Sequence, residues 1–114
     1  VPLLWAEMGV SVWDLGRMQP MPELLEFQRR YFADFYRMLI GSGSDGVFFW
    51  YYPGGFRCGE NSDYGIINPD GSDRPVSRVI REHARRVGMP GEEFYKVATT
   101  VVVRSDPAEH TAAA

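Results

Sequence analysis

Two residues in this sequence combine reactive or recognition chemistry with matching positions in two apolar runs. Glu7 closes "PLLWAE", and Trp50 lies within "VFFWYY". A carboxylate beside a flat indole suits a sugar, whose ring exposes an apolar C–H face for stacking while its hydroxyls require acceptors. The same carboxylate can attack, or electrostatically stabilise, an oxocarbenium-like centre. From spacing alone a second reading stands beside this one, in which Glu7 only caps a strand and Trp50 belongs to the core.

The first reading requires elements that bring Glu7 and Trp50 to one edge. Residues 2–7 form a short continuous apolar run, the pattern of a strand buried on both faces in a parallel sheet. Strict alternation places Leu3, Trp5 and Glu7 on one face and Leu4 and Ala6 on the other. A loop is expected over 8–21, long enough to mark a functional connection. Pro22 suits a first helical position, Glu23 and Glu26 suit the positive end of the helix dipole, and Gly41 is a plausible stop. Leu24, Leu25, Gln28, Tyr31, Phe32, Phe35, Met38 and Leu39 form the apolar stripe of that helix.

Residues 47–52, "VFFWYY", read as a second strand with Phe48, Trp50 and Tyr52 on one face. A long Gly- and Asn-rich loop follows, containing the turn "NPDG". A second helix is expected from Pro75 to just before Gly88, with Val76, Val79, Ile80, His83, Ala84 and Val87 as its stripe. Two apolar strands joined by a helical crossover are parallel, and the crossover is right-handed. The strands' C-terminal ends then share an edge, neighbouring strands lie about 4.8 Å apart, and ligands of such sheets bind outside that edge.

Composition narrows the partners. With 114 residues, 45% hydrophobic and 14% aromatic, the chain holds apolar material for one globular domain at most. A formal net charge of −3 without a basic stripe argues against nucleic acid. No apolar stretch approaches the roughly 18–20 residues that cross a bilayer. Cys58 is the sole cysteine, which excludes an internal disulfide and a multi-cysteine metal site. No metal ligand cluster, phosphate loop or dinucleotide motif is present, so no cofactor is implied. The opening without an initiator Met and the ending soon after "KVATTVVV" read as a segment of a longer protein.

"PLLWAEMG", a long crossover, "GVFFWYYPGG" and "ENSDYGIINPDGSDRPVSRVIREHA" together resemble the last two strand–helix units of the (β/α)₈ barrel in retaining β-glycosidases. The resemblance is to the cellulase and mannanase group of glycoside hydrolase family 5. It implies an α/β fold in which residues 1–88 are the C-terminal βαβα quarter of a TIM barrel. Residues 89–114 then form a linker and the first strand of an appended β-rich segment. In that family the glutamate ending the seventh strand, followed by an aromatic residue or Met and then Gly, is the nucleophile, and Glu7, Met8 and Gly9 stand in this pattern. The tryptophan ending strand eight floors the subsite of the reacting sugar and matches Trp50.

The resemblance further implies an oligo- or polysaccharide substrate and, as a partner, the remainder of the same barrel. The family's acid/base glutamate follows an Asn at the end of strand four, which lies outside this chain; Glu60 follows Gly59 in a loop and does not take that role. The segment alone is therefore expected to be inactive. Tyr52, Arg57, Asn61, Asp63 and Tyr64 on the loop after strand eight, and Trp13 and Asp14 on the loop after strand seven, are candidates for neighbouring sugar subsites. Each is also readable as an ordinary loop residue. His83 reads as a packed structural histidine, and Cys58 and His110 are given no catalytic role. A reading from another class is a non-catalytic carbohydrate-binding domain, with Trp13, Trp50 and the tyrosines as a stacking surface. A third, an unrelated barrel enzyme using Glu7 as general base, requires metal ligands or a phosphate loop.

Overall fold

A computed structural model describes residues 1–88. The order is β1 (Leu4–Met8), β2 (Trp13–Asp14), β3 (Gln19–Pro20), α1 (Pro22–Ser42), β4 (Gly46–Phe49) and α2 (Pro75–Arg86). The strand-like run expected near 97–103, and with it the appended β-rich segment, lies outside the described residues.

The two apolar strands pair in parallel, β1 against β4, with α1 as the crossover between them. Their register departs from strict alternation. Trp5 pairs with Val47 and Met8 with Phe49, so β1 advances three residues while β4 advances two. The extra residue is a bulge, and it changes which side chains face the helices. Trp5 meets Phe35 of α1 edge-on at 5.4 Å, and Met8 joins the buried core although it lies three positions on, an odd step that strict alternation would send to the other face. The expected grouping of Trp5 with Glu7 on one face is thereby corrected: Glu7 sits in the bulge and is exposed. The second strand also ends earlier than expected, at Phe49, which leaves Trp50 and Tyr52 just beyond it. The loop over 8–21 contains a short antiparallel pair, β2 with β3, that the sequence pattern does not announce.

Pro22 opens α1, where its missing N–H costs nothing. The helix passes Gly41 and stops at Gly43, which takes the left-handed conformation at φ 70°. The Gly43 N–H reaches the Ile40 carbonyl and the Ser44 N–H reaches that of Leu39, both at 3.2 Å, so the last carbonyls are satisfied in a Schellman arrangement. Gln28, Phe32, Tyr36 and Leu39 form the buried row of α1. Tyr36 replaces Tyr31 and Met38 in the expected stripe, and those two residues stay exposed. Along α2 the stripe follows expectation, with Val76, Ile80, His83 and Ala84 buried and Val79 and Val87 packed beside them. Ser77 Oγ accepts from the Arg74 N–H at 3.1 Å and donates to the Ile66 carbonyl at 2.7 Å, tying the start of α2 to the preceding loop.

Met8, Val47, Phe32, Tyr36, Leu39, Ile66, Val76, Ile80 and Ala84 form one core shared by both strands, both helices and the loop after β4. His83 stacks on Tyr36 across the helix pair, with centroids 4.0 Å apart and planes within 3°. Burial, with Arg86 nearby, pushes the imidazole down to about 4, and burial raises the Tyr36 phenol. The folded state thus holds His83 neutral through a range in which the unfolded chain protonates it, so unfolding takes up a proton between about pH 6.5 and 4. Stability against urea is expected to fall as pH drops through that window. His83→Phe, which keeps a flat ring against Tyr36, is expected to lessen the slope, measured as the difference between variant and wild type at pH 7, 5.5 and 4.5.

Candidate active site

Because β1 and β4 run in parallel, their C-terminal ends finish at the same edge, and Glu7 and Trp50 stand there. The Trp50 N–H donates to the Met8 carbonyl at 2.8 Å, carrying the pairing one residue beyond β4 and seating Trp50 against the end of β1. Gly9 makes this approach possible. A Cβ there would lie 2.2 Å from the Trp50 carbonyl oxygen, a distance at which one backbone must move. Ala6, Glu7 and residues 48–53 line a concavity of about 400 Å³ that brings the Glu7 carboxylate together with Trp50, Tyr51 and Tyr52. Following Phe49, the Trp50–Tyr51 peptide is cis.

The walls behind this edge are two loops sewn together by buried polar groups. Asp63 and Arg74 form a bidentate pair, with Nη1 donating to Oδ1 at 3.0 Å and Nη2 to Oδ2 at 2.7 Å. Both side chains are 1% exposed. The carboxylate also accepts from the Gly55 N–H at 3.0 Å and the Gly65 N–H at 2.9 Å, while Arg74 continues to the Gly65 carbonyl and to Asn68 Oδ1. On the other side, the Val12 N–H donates to the Asp63 carbonyl at 2.8 Å and the Asp63 N–H to Ser11 Oγ at 3.2 Å. Gln28, fully buried on α1, donates to the Val10 and Gly65 carbonyls, one on each loop. Trp13 stacks on Phe56 at 4.8 Å, an aromatic bridge across the same seam.

The candidate residues therefore separate into groups. Glu7, Trp50 and Tyr52 share the concavity. Asp63, expected as a hydroxyl-binding group, is corrected to a buried partner of Arg74 whose oxygens are already occupied. Trp13 lies outside the lining with one ring face against Phe56, and it holds loop to loop. Asn61 also lies outside the lining; it takes the left-handed position of a turn at φ 50°, a conformation Asn tolerates better than most residues. Asp14 accepts from the Arg17 N–H within its own short hairpin. Tyr51, covered from the sequence only among the tyrosines of the alternative stacking surface, lines the concavity. Its signal was adjacency to Trp50, which alternation assigned to the opposite face.

Among the described residues no group of His, Cys, Asp and Glu is arranged to hold a metal ion, and no helix is long and apolar enough to cross a membrane. Cys58 is an exposed free thiol. No family model, curated protein or solved structure matches this chain.

Removing one member of a buried ion pair strands the other, at a cost of about 3–5 kcal/mol. Asp63→Ala is therefore expected to lower unfolding stability by about that amount. The midpoint of urea denaturation reads it, and a change below about 1 kcal/mol would contradict the role assigned to the pair.

Proposed function

We propose that this chain is the C-terminal βαβα quarter of a (β/α)₈ barrel, contributing the nucleophile and the sugar platform of a retaining glycoside hydrolase that cleaves β-linked oligo- or polysaccharides. The observation that carries the reading is the shared concavity at the C-terminal ends of two parallel strands, where a carboxylate and an indole face one space. Ligands of parallel α/β sheets bind at this edge. The exposed apolar groups add support. Leu3, Leu4 and Phe48 on and beside the strands, and Phe27, Tyr31 and Met38 on α1, leave apolar surface that flanking barrel units would cover.

In this mechanism the sugar ring rests on Trp50 and its anomeric carbon meets Glu7. The carboxylate attacks that carbon as the bond to the leaving oxygen breaks, and a second carboxyl group elsewhere in the barrel gives that oxygen its proton. Water, deprotonated by the same second group, then displaces Glu7 from the glycosyl–enzyme and restores the carboxylate. Retention requires the two carboxyl groups to stand about 5–5.5 Å apart. The bulge in β1 has a role here, because it frees Glu7 from the helix-facing layer.

Hydrolysis of aryl β-glycosides and of β-glucan or mannan by the full-length protein tests the assignment. Glu7→Gln is expected to lower kcat on the order of a thousandfold or more while glycan binding persists. Trp50→Ala is expected to raise KM about tenfold, the scale of a lost aromatic stacking contact. Hydrolysis that survives Glu7→Gln intact removes Glu7 from the mechanism; glycan binding by the wild type without any hydrolysis would identify a carbohydrate-binding module instead.

A further inference from the structure

Behind the platform, the loop after β4 holds a cation that the chemistry of Glu7 does not use. The Arg57 Cζ atom lies over the Tyr51 ring, 4.3 Å from its centroid, and over the Trp50 ring, 5.2 Å from its centroid. The two rings are themselves stacked, 5.2 Å apart with an interplanar angle of 29°. One guanidinium therefore touches two of the aromatic groups that line the concavity, although Arg57 does not line it. Its Nη1 is buried without a hydrogen-bond partner, as suits a guanidinium laid against ring faces rather than reaching for an acceptor.

Arg57 is in turn held from behind. Its N–H donates to the Ser62 carbonyl at 2.8 Å, and its carbonyl accepts from the Glu60 N–H at 3.1 Å. Nη2 stands 3.3 Å from the Glu60 carboxylate, which also accepts from Ser62 Oγ at 3.1 Å. The turn over 57–62, closed by the left-handed Asn61, thus fixes both ends of the arginine. A side chain with many rotamers is tied down at its backbone and at its head, and between those ties it rests on the two rings.

We propose that Arg57 is the positioning residue of the sugar platform: anchored by Glu60 and Ser62, its guanidinium holds the Trp50 indole against Tyr51, so that the remaining indole surface faces the Glu7 concavity in one orientation. The proposal rests on the reading of Trp50 as a stacking platform. A platform ordered before the ligand arrives spares the complex the entropy of ordering it on binding. The sequence neighbours of Arg57 serve this arrangement, since Glu60 and Asn61 act on the arginine and its turn rather than on a ligand.

Two measurements on the full-length protein test it. The first needs no activity: the Trp50 indole N–H resonance, identified by its loss in Trp50→Ala, is expected to shift and broaden in Arg57→Met and to stay near its wild-type position in Arg57→Lys, which retains the cation. The second is a double-mutant cycle on an aryl β-glycoside. Arg57→Met is expected to lower kcat/KM about three- to thirtyfold, chiefly through KM, the range of a cation–π contact. The same change made in Trp50→Ala is expected to cost less than about twofold, because the group through which Arg57 acts is gone. An indole resonance unmoved in Arg57→Met overturns the proposal whether or not the protein hydrolyses glycosides, and equal losses in both backgrounds overturn it as well. A wild-type protein that cleaves no glycoside defeats the hydrolase reading, while the resonance comparison still decides the role of Arg57.

Discussion

The architecture at the strand ends depends on one buried ion pair. Moving a carboxylate and a guanidinium out of water is costly, and their mutual attraction offsets that cost only when the remaining donors and acceptors are also satisfied. Asp63 and Arg74 meet the condition. Two backbone N–H groups complete the carboxylate, and a backbone carbonyl and Asn68 take further guanidinium N–H groups. The satisfied groups belong to several turns of the loop after β4 and to the residue preceding α2, while the backbone of Asp63 binds the loop after β1. Segments rich in Gly, Asn and Asp, with little apolar surface of their own to bury, are thereby given a single arrangement.

That arrangement places the candidate site on a rigid backing. The end of β1 and the start of the second loop meet at Gly9 and Trp50, where the missing side chain of one admits the carbonyl of the other. From there the loop turns back, bonding Tyr51 to the Tyr64 carbonyl and Ile66 to the Tyr52 carbonyl, and Ile66 enters the core. The rings at the rim and the apolar core below are consequently joined through a few backbone hydrogen bonds, with Tyr52 touching both the concavity and the core. Asp63 and Arg74 are buried and directed inward, onto other loop residues. What remains to face the concavity is one carboxylate among aromatic rings.

Several features of the fold were legible because they follow from short-range rules. Pro22 and Pro75 mark helix starts through their fixed φ and missing N–H, and both helices begin there. The α2 stripe was legible because its apolar residues fall on one narrow face of an otherwise charged helix. The α1 stripe was less so, since aromatic residues occupy more than one face and only packing chooses Tyr36 over Tyr31. At the site, the types and positions of Glu7 and Trp50 drew attention in the sequence, and their presence in one concavity is visible in the fold. The duties of Asp63, Asn61 and Trp13 were not legible, because an Asp, an Asn or a Trp in a loop reads alike whether it meets a ligand or another part of the chain.

By itself, then, the sequence determined two apolar runs long enough for strands, two amphipathic helices with their starts, and a carboxylate and an indole near the strand ends. These are local matters, set by side-chain period and backbone stereochemistry within a few residues. Tertiary structure alone decided the bulge that separates Glu7 from Trp5, the burial of Asp63 with Arg74, and the seat of Arg57 on two rings. The bulge depends on how β1 meets β4, and the other two on how the loop after β4 folds back on itself. Register, desolvation and ring contact are properties of the meeting and leave no mark in the run of residues on either side of it.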